Sequence, residues 1–164
     1  MVGPIGRLPL AKGTLPLLLR QGQAAYGADH PLFRWQRQLT AAQVEQALGP
    51  AGTSLGGVQR LVVLERGASG RVLALSIQGT KGSLVLRRDG IRRALRQLPS
   101  TLFVVQPAGP GLWTVVGGGF GHGAGLSQAG AIDLARRGWS VARILERYYP
   151  GAALVPIESL KQGL

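Results

Sequence analysis

Read as a pattern of apolar and polar positions, the chain changes period several times. Leu39–Leu48, LTAAQVEQAL, has helical spacing, with Thr40 placed to cap it and Gln43 three residues on to complete a capping box. Gly49-Pro50 stops that helix, and residues 51–57 are small and turn-rich. The period then falls to two. Strands are expected near 59–65, 71–78 and 83–87, joined by GASG and GTKG, whose glycines permit positive φ. VLALSIQ alternates apolar with small or polar residues, as a half-buried strand does. The three strands read as a β-meander.

Asp89–Leu98 returns to helical spacing. Ile91, Ala94, Leu95 and Leu98 make one apolar stripe, and Arg92, Arg93 and Arg96 lie off it as a solvated face. Asp89 or Gly90 is the expected cap. Thr101–Gln106 and Leu112–Gly118 read as strands around the PAGPG turn. Two helices follow. One starts near Ser127 and ends at Gly138, behind Arg136 and Arg137, where cations suit the helix dipole. The other runs from a Ser140 cap to Pro150-Gly151. The fold class implied is α+β: a mostly antiparallel β-meander with inserted short helices and a C-terminal helical hairpin.

Composition narrows the chemistry. The 164 residues suit one domain. A chain of this size buries roughly 70% of its unfolded surface and needs no staples. With no cysteine, disulfides and thiolate metal sites are excluded. The net charge of +12 attracts polyanions such as nucleic acid, anionic lipid or a cell-wall polymer, although codon bias toward arginine would give the same count. Aromatics at 5% argue against base-stacking single-strand binders, and no recognition helix is visible, so no nucleic-acid partner is expected. The most apolar early run, Leu15–Leu19, holds Pro16 and is far short of the roughly 20 residues that span a bilayer. It is a poor signal peptide as well. No membrane span and no export signal are visible.

The densest motif is GGGFGHGAGLSQAG, Gly117–Gly130. Its glycines at 119, 121, 123 and 125 miss the G-x-G-x-x-G register of a dinucleotide site, and no Gly-Lys-Ser/Thr follows for a phosphate loop. A nucleophile elbow needs G-x-S-x-G and a later histidine. Here the only histidines are His30 and His122, both before Ser127. One histidine without cysteine or a spaced carboxylate is a weak metal site, so neither metal nor cofactor is expected; Asp133 reads as surface. Two readings stay open. Alternate glycines would leave one face of an extended segment bare, so that a polymer could approach beside His122, Ser127 and Gln128. Equally, the segment is a tight strand-to-helix connection, with Ser127 a cap and His122 satisfied in the core. The residues alone favour the second.

The segment from Gly117 to Gly151 resembles the C-terminal signature of the SpoIID/LytB domain family (stage II sporulation protein D and amidase-enhancer relatives). That signature is approximately G-R-G-x-G-H-G-V-G-M-S-Q-x-G-A, then two helices and Y-Y-x-G. WQRQLTAAQVEQAL, the Ser69–Arg71 hairpin and IRRALRQLPSTLFVV resemble further family blocks. The resemblance covers about residues 30–151, leaving 1–29 as a loosely ordered lead-in and 152–164 as a tail. Departures are Gly118 where arginine is usual, Ala124 for valine and Leu126 for methionine.

The resemblance implies an extracytoplasmic protein acting on peptidoglycan glycan strands, with a cell-wall amidase or the N-terminal part of the domain as further partner. It implies that Gly119, Gly121, His122, Gly123, Gly125, Ser127 and Gln128 line a glycan groove. Family lytic transglycosylases work on strands stripped of stem peptides. They use one carboxyl group to protonate the glycosidic oxygen and then, as carboxylate, to take a proton from the sugar's 6-hydroxyl. The family's glutamate lies in an N-terminal E-M-P-like block that nothing here resembles. Of the resident glutamates, Glu45, Glu146 and Glu158 read as solvated, and Glu65 is the least poor substitute. The expectation is therefore no catalytic residue in this chain: the C-terminal portion of a SpoIID-type protein, a glycan-groove half inactive by itself. The alternative is a non-catalytic murein-binding or amidase-enhancer module.

Overall fold

A computed structural model describes residues 25–157. Residues 1–24, with most of the expected lead-in and the Leu15–Leu19 run, lie outside the described residues, as does Glu158 in the tail. The described chain forms two compact units. One is Asp29–Gly123, and the other joins Ala25–Ala28 to the segment starting at Ala124. Secondary structure is α+β, and the strands of both sheets pair antiparallel, in keeping with the mostly antiparallel meander expected.

The first unit holds two three-stranded sheets. β1 (Trp35–Thr40), β6 (Leu112–Gly117) and β5 (Phe103–Gly109) lie in the order β1-β6-β5. β2 (Val58–Arg66), β3 (Val72–Gly79) and β4 (Ser83–Arg87) form the expected meander in chain order, within a residue or so of the expected ends. Trp113, Val115 and Gly117 alternate inward along β6, while Ala74–Ile77 of β3 are buried consecutively. The core joins both sheets through Trp35, Leu39, Leu75, Ile77, Phe103 and Val115.

Helix α1 (Ala41–Leu48) has the expected capping box: Gln43 N–H donates to Thr40 Oγ1 at 3.2 Å, and Thr40 N–H donates to Gln43 Oε1 at 2.9 Å. Three local readings are corrected. Residues 50–54, expected as turn, form a short helix α2 (Pro50–Ser54), because Pro50 sits at its first turn, where a missing N–H costs nothing. The Asp89–Leu98 helix ends early, as α3 (Asp89–Ala94). Leu95 leaves helical geometry at φ −96° and ψ 72°, and the apolar stripe continues into the core without helix: Ile91, Leu95 and Leu98 are all buried. Pro99 next in line disfavours helical geometry at Leu98. The capping position is neither Asp89 nor Gly90 but Arg88, at φ 48°.

In the second unit, α4 (Gln128–Arg136) and α5 (Val141–Tyr148) make the expected hairpin, capped by Ser127 and Ser140. Gly138 at φ +79° closes α4: its N–H donates to Ala135 O, and Trp139 N–H donates to Leu134 O, the paired bonds of a Schellman ending. Residues 25–28 pack on this hairpin. Gly27 N–H donates to Asp133 Oδ2 at 3.0 Å, and the Tyr26 ring meets Trp139 edge-on at 5.9 Å. Asp133 is therefore not plain surface.

Candidate functional site

The glycine segment is held on the first unit by the strands before it. Gly117 pairs with Trp35 on one side and Phe103 on the other. A Cβ at Gly117 would overlap the Trp35 indole, so the absent side chain lets that ring lie against β6. The indole then donates from Nε1 to Gly119 O at 2.9 Å. Buried Ser100 donates to Gly118 O at 2.7 Å and accepts from Leu102 N–H at 3.1 Å. Ser100 and Gly121 form a parallel bridge.

Each of Gly119, Gly121, Gly123 and Gly125 has φ between +73° and +85°, while no residue between them has positive φ. The segment is thus not the extended strand one reading assumed. Every second residue turns left-handed, a conformation costing an L side chain about 1–2 kcal/mol. A Cβ at Gly119 or Gly121 would meet nothing within 4 Å. At Gly123 it would overlap Cζ and Nε of Arg71.

Two arginines grip this turn. Arg71 Nη1 donates to Gly121 O at 3.4 Å, and Arg92 Nε donates to Pro99 O at 3.1 Å, the carbonyl that also accepts from Gly121 N–H at 3.0 Å. Burial, with the Arg92 charge adding to it, pulls the Arg71 guanidinium below its ordinary pKa. Arg92, expected on a solvated face, instead bonds Pro99 and Asp89 and stands 5.5 Å from the Phe120 ring centre. Phe120 itself is 67% exposed.

The segment named from the sequence divides at the boundary between the units. Gly119, Gly121, His122 and Gly123 belong to the first; Gly125, Ser127 and Gln128 belong to the second. His122 is exposed, which removes the core-histidine alternative. Ser127 is a cap: its Oγ accepts from Gly130 N–H at 3.2 Å and bonds the Tyr148 phenol, whose pKa burial pushes up. Leu126 N–H donates to Tyr149 Oη at 3.1 Å, and Gln128 opens α4 exposed. Sequence reasoning set Phe120 between the glycines but gave it no place in the candidate lining, and it missed Arg92 in this region. The available signal was a large apolar residue between glycines, where no strand or helix period places it.

The described carboxylates are otherwise engaged or exposed. Glu45 accepts from Val58 N–H at 2.7 Å, Glu65 pairs with Arg87 at 3.8 Å, and Asp89 pairs with Arg92 at 3.1 Å. Asp133 is held below its ordinary pKa by the hydrogen bond from Arg137 and then by Gly27 N–H. Asp29 and Glu146 are exposed. None of these six is buried, and no three metal-ligating side chains cluster among the described residues.

The family model that matches is that of a domain of unknown function (DUF8618), over residues 10–125. The chain belongs to this family. Two curated proteins of Bacillus subtilis (strain 168) are similar to it. Stage II sporulation protein D is 30% identical over 136 residues, which are 83% of this chain and 37% of that protein. The amidase enhancer is 50% identical over 42 residues, 26% of this chain and 6% of that protein. The domain is thus a SpoIID-like relative and spans well under half the length of either protein. Its family model is that of DUF8618, so the SpoIID/LytB relation rests on these pairwise matches. No helix among the described residues is long and apolar enough to cross a membrane.

Proposed function

We propose that this domain is a peptidoglycan-directed module of the cell envelope, the glycan-binding portion of a SpoIID-like lytic transglycosylase. The observation that carries this reading is the left-handed glycine turn at 119–123, bearing exposed Phe120 and His122 and pinned by Ser100, Arg71 and Arg92. A turn with little side chain of its own lets a polymer lie against backbone, and an aromatic face beside polar groups suits a sugar ring. The likeness to stage II sporulation protein D supports the substrate class. Gly125, Ser127 and Gln128, in the second unit, are proposed as glycan contacts of that unit by itself.

In this reading the domain binds glycan without cleaving it. A general acid for glycoside cleavage needs a raised pKa, which burial supplies. The described carboxylates lack such surroundings, and Glu65, the least poor candidate, is exposed and paired. Purified domain incubated with peptide-free glycan strands is expected to bind them and to release no anhydro-sugar ends by mass spectrometry. Release that disappears on Glu65→Gln would overturn the non-catalytic part.

The 50% identity to the amidase enhancer favours a second reading, a non-catalytic module that assists a cell-wall amidase. Adding the domain to an amidase digest of sacculi separates the two. Faster release of peptides supports the second reading, and an unchanged rate supports the first.

A further inference from the structure

Arg71 is the least explained charge in the first unit. It is half-buried, and among the described residues its guanidinium makes one hydrogen bond, a long one of 3.4 Å to Gly121 O. No carboxylate among the described residues pairs with it. The charge that bears on it is another cation, Arg92: Arg71 bonds the Gly121 carbonyl, and Arg92 bonds the Pro99 carbonyl that accepts from Gly121 N–H. Two like charges brought together with reduced hydration cost free energy unless an anion offsets them. A guanidinium offers five donors in a planar fork. Arg71 spends one on Gly121; Arg92 spends two, on Pro99 and Asp89. The remaining donors match a planar, bidentate acceptor.

We propose that Arg71 and Arg92, held beside the 119–123 turn, form a carboxylate-recognition site that selects carboxylate-bearing glycan over neutral glycan. The proposal rests on the glycan-binding reading above. The site lies wholly within the first unit. Phe120, within cation–π distance of Arg92, gives a sugar ring a face next to the charge. In peptidoglycan the carboxylate comes either from a lactyl group freed of peptide or from the stem peptide itself.

The test is calorimetric titration with three oligomers of matched length: a neutral chitin oligomer, a peptide-free glycan with free lactyl groups, and a peptide-bearing glycan. The wild-type domain is expected to bind one carboxylate-bearing oligomer at least about tenfold tighter than the chitin oligomer, the effect of a charge-assisted hydrogen bond. Which of the two is preferred identifies the carboxylate. Arg71→Lys and Arg92→Gln are each expected to lose that preference, read within each variant as the ratio of its affinity for the carboxylate-bearing oligomer to its affinity for the chitin oligomer. Arg96→Gln, at an exposed position, keeps it. Acetate in place of chloride at equal ionic strength is expected to weaken only the carboxylate-bearing oligomer, a readout that needs no variant. Equal affinity of the wild type for all three oligomers, or a preference that survives both variants and acetate, overturns the proposal. Absence of binding to any oligomer overturns the glycan reading and this proposal with it.

Discussion

At the scale of single residues, the glycine turn is governed by backbone sign and by local crowding, and the two can be separated. Gly119 and Gly123 share the left-handed φ, but only Gly123 has a neighbour where a Cβ would go. Gly119→Ala is expected to cost about 1–2 kcal/mol, the price of left-handed backbone. Gly123→Ala is expected to cost more, because Arg71 must also move. Urea unfolding of both variants checks the order. Arg88 is the converse case, a non-glycine residue at φ 48° and ψ −127° that begins α3. Its N–H is committed to Leu73 O at 2.8 Å, which holds the strained geometry in place. Arg88→Gly keeps that bond and is expected to raise stability by about 1 kcal/mol.

At the scale of elements, the caps carry the local structure. Thr40→Ala removes one half of the α1 capping box and is expected to cost about 1 kcal/mol. Ser127→Ala should cost more than a cap alone, since it also strips the Tyr148 phenol of a partner. Asp133 ties residues 25–28 to α4, and its lowered pKa gives the contact a pH dependence. A carboxylate with a depressed folded pKa stabilises fully above its ordinary value of 3.8. That contribution is lost as pH falls through the folded value. Protection of the Gly27 amide, its exchange rate relative to an unstructured amide at the same pH, is expected to be high near neutrality and to fall in acid. Asp133→Asn should flatten that profile.

At the scale of the whole molecule, charge dominates. With +12 and few carboxylates free of partners, attraction to anionic wall polymer is expected to be long-ranged and sensitive to salt. Retention on purified sacculi should fall steeply between low and high ionic strength, read by co-sedimentation. A retention indifferent to salt would assign the affinity to the sugar face at Phe120 instead. In the core, Phe103 is fully buried between the sheets and beside Trp35, at 6.5 Å between ring centres. Phe103→Ala is expected to cost about 3–5 kcal/mol and to loosen the Trp35 indole that holds Gly119.

Local rules were enough for much of this fold. The turn-bounded strands β2, β3 and β4, the Thr40 and Ser140 caps and the Gly138 stop all follow from neighbours a few residues away, so they were legible in the sequence, although β3 is buried on both faces and not half-buried as its alternation implied. Periodicity misjudged the places where distant chain decides. Leu95 and Leu98 keep their apolar spacing but are buried off the helix, because the core needs their side chains and not their helical backbone. Arg92 carries the spacing of a solvated face, yet Pro99 O and the Phe120 ring draw it into the turn. The glycine alternation announced an unusual backbone; whether it was extended or left-handed depended on Trp35, Ser100 and Arg71, residues up to 84 positions away from their partners. Sequence by itself determined the fold class and where the unusual segment lies. Tertiary structure alone decided that Arg71, with no carboxylate partner among the described residues, and Arg92, already paired with Asp89, flank one turn, since separate elements bring them to it.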